Sequence, residues 1–325
     1  MMAPAEPLQA LVDELVAAVP AVTWSVAVSD HAGRNLAGAG AERSLRTASV
    51  GKILLLCELA ARLEQGRERA ATMISTSAVP KVGGSGLLQY LSLPQLSIGD
   101  LAVLIGAVSD NFATNLLLDH IGLEAVWQRE AALGLAATHL HDQIRNGRGP
   151  NDPPTFSTGS AAELNALIGA AADERLSSAA VSRQLRGWLS VNADTSMVAA
   201  ALDLDPLEHD LSSAPAVILF NKTGTDAGIR ADVGRIELAD LRAGGHRAGD
   251  PSDASRPGTG SSSGSVASAP NPTAGHMTAP TALNYAVIAN WDETELDATE
   301  PVLAAMHRLG RGLRELLLGP ASIAE

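Results

Sequence analysis

Ser49 and Lys52 are a pair of residues whose types and spacing could support covalent catalysis. The run from Thr47 to Leu56 predicts a helix that opens on Ser49, and residues three apart share one face of a helix, so the two side chains come within hydrogen-bond reach. The N–H groups of the first turn and the helix dipole favour negative charge beside the serine oxygen. The pair therefore predicts a serine nucleophile with a lysine base. The alternative for these two residues alone is a helix cap followed by a solvent-exposed lysine.

Two further triplets follow in the sequence, Ser109-Asp110-Asn111 and Lys222-Thr223-Gly224. The first is predicted to lie on a short connection between two apolar helices, residues 101–108 and 112–120, where its side chains could be held firmly in a cleft. The second is predicted at the end of a strand over residues 215–222, whose antiparallel partner would be residues 229–238. S-x-x-K, S-D-N and K-T-G together are the signature of class A β-lactamases and penicillin-binding proteins.

The sequence resembles the class A β-lactamases and their penicillin-binding relatives over nearly the whole chain. Beyond the three motifs, the segment from Gly84 to Gln89 and the residues that follow Asn111 are similar to the family's sequence around its S-D-N loop. The resemblance implies an α/β (α+β) fold in which a five-stranded antiparallel sheet is flanked by helices and carries an inserted all-α domain. It also implies a serine hydrolase that opens β-lactam amides through an acyl-serine intermediate.

The same resemblance implies a role for each motif residue. Ser49 would attack the acyl carbonyl, Lys52 would accept its proton, and the backbone N–H groups of Ser49 and Thr225 would form the oxyanion hole. Ser109 would relay a proton to the departing nitrogen, and Asn111 would contact the side-chain amide of the substrate. A substrate carboxylate would be bound by Lys222 and Thr223, with Gly224 beside them, and by Arg230 as a further ligand. A solvated strand arginine is the alternative for Arg230.

The segment from His139 to Thr158 departs from the family pattern. Family β-lactamases carry a glutamate there, followed four residues later by an asparagine, and together these hold the water that hydrolyses the acyl-enzyme. This loop contains no glutamate, and counting back from Pro150-Asn151-Asp152 places Asp142 and Asn146 at the two positions. A carboxylate one methylene shorter would misplace the general base by about an ångström, which can cost on the order of a hundredfold in rate. The alternative for Asp142 is a structural loop carboxylate.

Three functions therefore remain open from the sequence. The first is a β-lactamase, and the second is a penicillin-binding, peptidase-like or esterase-like protein that forms an acyl-enzyme and deacylates slowly. The third is a non-catalytic binding protein that keeps the cleft as a recognition surface.

The composition restricts the partners. A net charge of −13 argues against binding to nucleic acid or to an anionic membrane. The only cysteine, Cys57, lies in an apolar run and excludes an intramolecular disulfide and a cysteine metal cluster. We expect a monomer that takes a small-molecule substrate and needs no metal or cofactor. The segment from Met1 to Pro7 has neither a basic region nor an apolar core, which favours a cytoplasmic location, unless the N-terminus is truncated and the protein is exported.

The order of predicted elements suggests two interleaved domains. Residues 1–48 and 205–325 would form the sheet domain, and residues 49–204 the all-α domain. Residues 242–280 are rich in Gly, Ser and Pro and predict a flexible insertion. The remaining predicted elements are a first helix over residues 7–19, strands over 22–28 and 34–37, helices over 161–171, 181–189 and 195–202, a last strand over 283–291 and a closing helix over 300–318.

Overall fold

The computed structural model describes residues 5–207, 217–239 and 280–319. The helices in these residues are α1 (Ala5–Ala18), α2 (Lys52–Glu64), α3 (Ile98–Val108), α4 (Asn111–Ile121), α5 (Leu123–Ala132), α6 (Ala161–Ala172), α7 (Ala179–Leu189) and α8 (Thr299–Leu318), with short 3-10 helices at Ala48–Gly51, Leu88–Tyr90 and Val198–Leu202. The strands are β1 (Thr23–Asp30), β2 (Asn35–Ala39), β3 (Leu45–Arg46), β4 (Met73–Ser75), β5 (Gln95–Ser97), β6 (His139–Leu140), β7 (Ser157–Gly159), β8 (Val217–Asp226), β9 (Ile229–Leu238) and β10 (Ala282–Asn290).

A five-stranded antiparallel sheet with the order β2-β1-β10-β9-β8 organises the molecule. β1 pairs with β10 along its whole length, from Thr23 opposite Asn290 to Asp30 opposite Leu283. A strand from the N-terminal part of the chain and a strand from its C-terminal part are thus neighbours within the sheet. β8, which carries K-T-G, is an edge strand: among the described residues of this sheet, it pairs only with β9. Its outer edge is therefore open to contacts with the helical part of the chain.

Two hydrophobic clusters fill the interior, one on each face of the sheet. On one face, α1 and α8 pack over Val26, Val287 and Leu283. On the other face, α2, α4, α6 and α7 pack together and reach the sheet at Ala231, Val233 and Phe220. α2 runs through the centre of this second cluster, and Lys52 to Ala61 are all buried. The helix that carries the Ser49 motif is thus fixed on all sides.

The fold class inferred from the resemblance is confirmed: helices flank a five-stranded antiparallel sheet. Most predicted elements lie within a few residues of their expected bounds. α3 begins three residues before its predicted start, and Ser97 caps it by accepting from the backbone N–H of Asp100. α5 was not predicted. The predicted insertion lies outside the described residues apart from its last residue, and the division into two domains stays a prediction. Within the described ranges, no helix combines the length and hydropathy that a membrane span requires.

Candidate active site

Ser49 lies on the 3-10 turn Ala48–Gly51 rather than on the first turn of an α-helix, which begins at Lys52. Ala48 has a φ of 46°, a left-handed conformation that is costly for a residue with a side chain. The conformation is held by Ser157, whose hydroxyl donates to the Ala48 carbonyl at 2.7 Å. The Ser49 hydroxyl makes no hydrogen bond to any residue of the described ranges. It faces a cleft of about 330 Å³ and is therefore positioned to react with a bound molecule.

Lys52, the first residue of α2, is fully buried and points at the S-D-N segment. Its Nζ donates to the Ser109 carbonyl at 2.6 Å, to the Ser109 hydroxyl at 3.1 Å and to Asn111 Oδ1 at 2.7 Å. Burial lowers the pKa of Lys52 well below its usual range, and the charge of Lys222 lowers it further, against the opposing effect of Asp110. A lysine whose pKa is lowered loses its proton more readily and can then act as a base.

The S-D-N residues join the end of α3 to the start of α4. Ser109 ends α3 in the left-handed region, with a φ of 54°. Asp110 caps α4 through the backbone N–H of Ala113, and its other carboxylate oxygen accepts from the Leu88 N–H at 2.7 Å. Asn111 Oδ1 accepts from Lys52, and Asn111 Nδ2 donates to the Gly83 carbonyl. Two helix ends and a loop thus hold these side chains at the cleft.

Strand β8 brings K-T-G against the serine turn. A Cβ built at Gly224 would lie 2.1 Å from the Thr47 carbonyl oxygen and 3.2 Å from the Ser49 backbone nitrogen, so only glycine permits this approach. The next residue, Thr225, lines the cleft together with Ser49. The two backbones expected to form the oxyanion hole therefore lie side by side, although the role itself stays a prediction.

Lys222 and Thr223 are almost completely buried behind this edge. Lys222 Nζ donates to the Thr223 carbonyl at 3.0 Å, and the Thr223 hydroxyl donates to Asp194 Oδ2 at 2.6 Å. Burial lowers the pKa of Lys222 to about 8, although the carboxylates of Asp194 and Asp232 act in the opposite direction. The K-T-G side chains thus meet an internal carboxylate that the motif analysis did not include.

Arg230 is not brought into the cleft, in contrast to the role that the resemblance implied. It lies opposite Thr225 in the β8–β9 register, and its guanidinium donates to the carbonyls of Asp226 and Ile229 at 3.1 and 2.7 Å. The guanidinium carbon also lies 5.8 Å from the ring centroid of Trp291. The hairpin carbonyls and the aromatic ring therefore occupy this guanidinium, and Arg230 is not among the residues that line the cleft.

Asp142 is also placed differently from its predicted role as general base, because its carboxylate does not line the cleft. Oδ2 accepts from Arg145 Nε at 2.6 Å and from Arg148 Nη1 at 2.7 Å, while Oδ1 accepts from the Gln143 N–H and from Arg145 Nη2. Burial alone would raise the pKa of Asp142, but the arginine hydrogen bonds hold it below the usual range. The geometry corresponds to the structural loop carboxylate that the sequence left open.

Asn146, the second residue of the predicted hydrolytic pair, does line the cleft. Its Oδ1 accepts from the Gly83 N–H at 2.9 Å and so connects the 139–158 loop to the loop before S-D-N. Arg145 and Arg148 line the same wall. Of the predicted site residues, the cleft wall includes Ser49, Asn111, Asn146 and Thr225, with Lys52, Ser109, Lys222 and Thr223 buried or partly buried around it.

The family follows from a comparison of the sequence with known families. Residues 6–243 match the model of the β-lactamase enzyme family. The chain belongs to that family. It is thus a serine β-lactamase-like hydrolase. No curated protein sequence matches it significantly.

Solved structures of β-lactamases and of PBP-A show the same fold at low identity. A β-lactamase from Sphaerobacter thermophilus DSM 20745 superposes with a TM-score of 0.71 at 19% identity, over 96% of this chain and 98% of that one. A β-lactamase from Xanthomonas campestris pv. campestris gives 0.69 at 18% identity, over 98% and 100% of the two chains. PBP-A gives 0.69 at 16% identity, over 97% of each chain. A mutant of PBP-A is described as an acyl-enzyme complex with penicillin G.

This family member also carries a buried polar chain behind K-T-G that motif reasoning missed. Asp232 lies opposite Thr223 on β9 and accepts from Asn221 Nδ2, from the Tyr285 hydroxyl and from the Val198 N–H. Burial raises the pKa of Asp232 to about 7. The signal that could have found it is an aspartate between Ala231 and Val233, at the centre of the predicted strand partner, since buried carboxylates require partners.

Proposed function

We propose that this enzyme opens β-lactams, amides or esters by acylating Ser49, and that it releases the acyl group slowly. The observation that carries the proposal is the contact of the buried Lys52 amine with both the hydroxyl and the carbonyl of Ser109 and with the Asn111 side chain. This contact connects the proposed base, on α2, to the proposed proton relay on the α3–α4 connection.

The Lys52 amine contacts Ser109 and Asn111 and is not hydrogen-bonded to Ser49 in the structure, so the contact that the S-x-x-K spacing predicts must form when a substrate binds. The acylation step is proposed on that basis. The neutral Lys52 amine takes the proton of the Ser49 hydroxyl as the Ser49 oxygen bonds to the carbonyl carbon. The negative charge that develops on the carbonyl oxygen is stabilised by the N–H groups of Ser49 and Thr225. As the carbon–nitrogen bond breaks, the proton passes from Lys52 through Ser109 to the departing nitrogen. The product is an acyl-Ser49 ester: the amine of a lactam stays attached to the acyl group, an amide releases its amine, and an ester releases an alcohol when its carbon–oxygen bond breaks in the same way.

Slow deacylation is supported by the state of Asp142. Its two oxygens accept four hydrogen bonds, three of them from arginines, and its lowered pKa makes it a weak base. A water held against such a carboxylate would gain little activation. Rapid turnover, with Asp142 as the base, is the second candidate. It is favoured by Asn146, which lines the cleft four residues after Asp142.

Intact-protein mass spectrometry over time tests both halves of the proposal. The parent enzyme and Ser49→Ala are each mixed with excess benzylpenicillin and, separately, with its methyl ester. We expect a covalent adduct of the mass of the intact compound that forms on the parent, persists for many minutes and is absent from Ser49→Ala. Equal labelling of Ser49→Ala would refute acylation at Ser49. An adduct that clears within seconds would refute slow deacylation and would support the second candidate.

A further inference from the structure

Asp194 lies where the family resemblance expects a substrate carboxylate to bind. Its Oδ2 accepts the Thr223 hydroxyl proton at 2.6 Å, and its charge attracts the ammonium of Lys222. Ser196 fixes the other oxygen, Oδ1, through both its hydroxyl, at 2.6 Å, and its backbone N–H, at 3.1 Å. The carboxylate is therefore held in one orientation against K-T-G by groups on both sides.

The K-T-G donors are consequently used within the protein. Thr223 is only 3% exposed, and its single hydroxyl proton is already donated to Asp194. Lys222 is fully buried and donates to the Thr223 carbonyl. An incoming carboxylate would need to displace Asp194 or to approach it closely, and like charges at such distances repel each other strongly when solvent is excluded.

No other cation of the described residues compensates for Asp194 at this end of the cleft. Arg230, which could have supplied a second positive charge, is held by backbone carbonyls and by Trp291. Asp226, at the end of β8, lines the cleft and adds a further negative charge. Arg145 and Arg148 also line the cleft, and both are paired with Asp142.

We propose that Asp194 is a specificity-determining residue that excludes a carboxylate from the Lys222–Thr223 end of the cleft. The substrates are then lactams, amides or esters with an uncharged group at that position. This inference rests on the proposed function, because it concerns the group next to the bond that Ser49 attacks.

Benzylpenicillin and its methyl ester differ only in this charge and one methyl group, so their acylation rates test the inference. Second-order rate constants would be measured for the parent enzyme, for Asp194→Asn and for Asp13→Asn. The last variant removes one negative charge from the exposed surface of α1 and is the matched control. We expect the parent to react faster with the ester, by about tenfold, and Asp194→Asn to shift the acid-to-ester ratio toward the acid by a similar factor. Asp13→Asn leaves the ratio unchanged.

A parent enzyme that prefers the acid, or a ratio that moves less than about twofold in folded Asp194→Asn, overturns the inference. Thermal unfolding shows whether Asp194→Asn is folded. If it is not, the parent's preference for the methyl ester over the acid still tests the inference. If neither compound acylates Ser49, the proposed function fails separately. In that case, the dissociation constants of the acid and the ester are measured by calorimetry for the parent and for Asp194→Asn. The inference predicts the same change in the acid-to-ester ratio.

Discussion

Lys52 contacts Ser109 twice, through the carbonyl oxygen at 2.6 Å and through the hydroxyl at 3.1 Å. The first contact depends on the left-handed backbone of Ser109, which ends α3 with a φ of 54° and so determines where its carbonyl and hydroxyl lie. The strained residue lies at the end of a helix whose inner face is buried. Backbone strain at such a position is retained when the surrounding structure fixes it. The lysine is thus positioned by backbone geometry as well as by side chains.

Replacing Lys52 by methionine removes the proposed base while keeping a long, unbranched side chain in the core. We expect the acylation rate constant with benzylpenicillin methyl ester to fall by about 10²–10⁴, the usual contribution of a general base. In the parent, acylation should increase with pH as Lys52 loses its proton, because the neutral amine is the reactive form. The measurement is the rate of adduct formation between pH 5 and 9. A parent-like rate in a folded Lys52→Met enzyme would rule out Lys52 as the base.

Substituting Gly224 tests the close approach of β8 to the serine turn. Its built Cβ lies 2.1 Å from the Thr47 carbonyl oxygen, so Gly224→Ala must separate the strand from the Ser49 backbone. A displacement of about an ångström in a catalytic site can cost on the order of a hundredfold, which is the loss of acylation rate that we expect.

Gly187→Ala is the matched control for Gly224→Ala. Gly187 lies on α7, and no heavy atom lies within 4 Å of its built Cβ. An alanine there should raise the free energy of unfolding by about 0.5–1 kcal/mol and leave acylation unchanged. An active Gly224→Ala enzyme would show that the two backbones are not required at this separation.

Asp142→Asn distinguishes a structural carboxylate from a hydrolytic base. The carboxylate is almost buried and pairs with Arg145 and Arg148, so we expect its loss to lower Tm, on the order of 5 °C, because both arginines lose their charged contact with it. The lifetime of the acyl-enzyme should change less than about twofold, because a carboxylate occupied by arginines activates water poorly. Mass spectrometry and thermal unfolding measure the two effects. An adduct that clears in the parent and persists in Asp142→Asn would identify Asp142 as the base.

The sequence predicted what depends on local pattern and motif. Ser49, Lys52 and S-D-N are fixed to helix ends whose apolar periodicity is plain, and the K-T-G strand is followed by a turn and an alternating partner. Arg230 does not line the cleft, because its guanidinium contacts Trp291, which belongs to a distant part of the chain, and its implied role stays a prediction. A strand register predicts which residues are opposite each other, but not which of several neighbours a long arginine side chain contacts.

Buried polar residues are also difficult to place from the sequence. Asp194 reads as part of a polar connection after α7, and only the packing of that connection against β8 brings it to Thr223. α5 was missed because few of its residues are apolar and buried: Val126 is one, but the other buried residue is Glu130. Glu130 is satisfied by the Leu140 N–H and by His139, which lie in the next segment of the chain.

Asp232 should make stability depend on pH. Burial raises the pKa of this carboxyl from near 3.8 to about 7 in the folded protein, so the folded state holds a proton that the unfolded state has released. The stabilisation from this group is therefore complete below pH 3.8 and is lost as the pH rises through about 7. Asp232→Asn keeps the neutral form at every pH. We expect its Tm to rise relative to the parent between pH 5 and 8, on the order of 5 °C.

Asp194→Asn is the contrasting control for the pH dependence of Asp232→Asn. Burial would raise the pKa of Asp194, but the hydrogen bonds from Ser196 and Thr223 outweigh it and lower the pKa below its usual value. Its stabilisation is present above the unfolded-state pKa and is lost only as the pH falls through the lower folded-state value. The Asp194 carboxylate itself therefore contributes no pH dependence between pH 5 and 8, but its charge raises the pKa of Asp232 and of Lys222. The Tm difference between Asp194→Asn and the parent should vary less over this range than that of Asp232→Asn. A constant difference for Asp232→Asn would mean that its three donors, Asn221, Tyr285 and the Val198 N–H, keep Asp232 ionised in the folded protein.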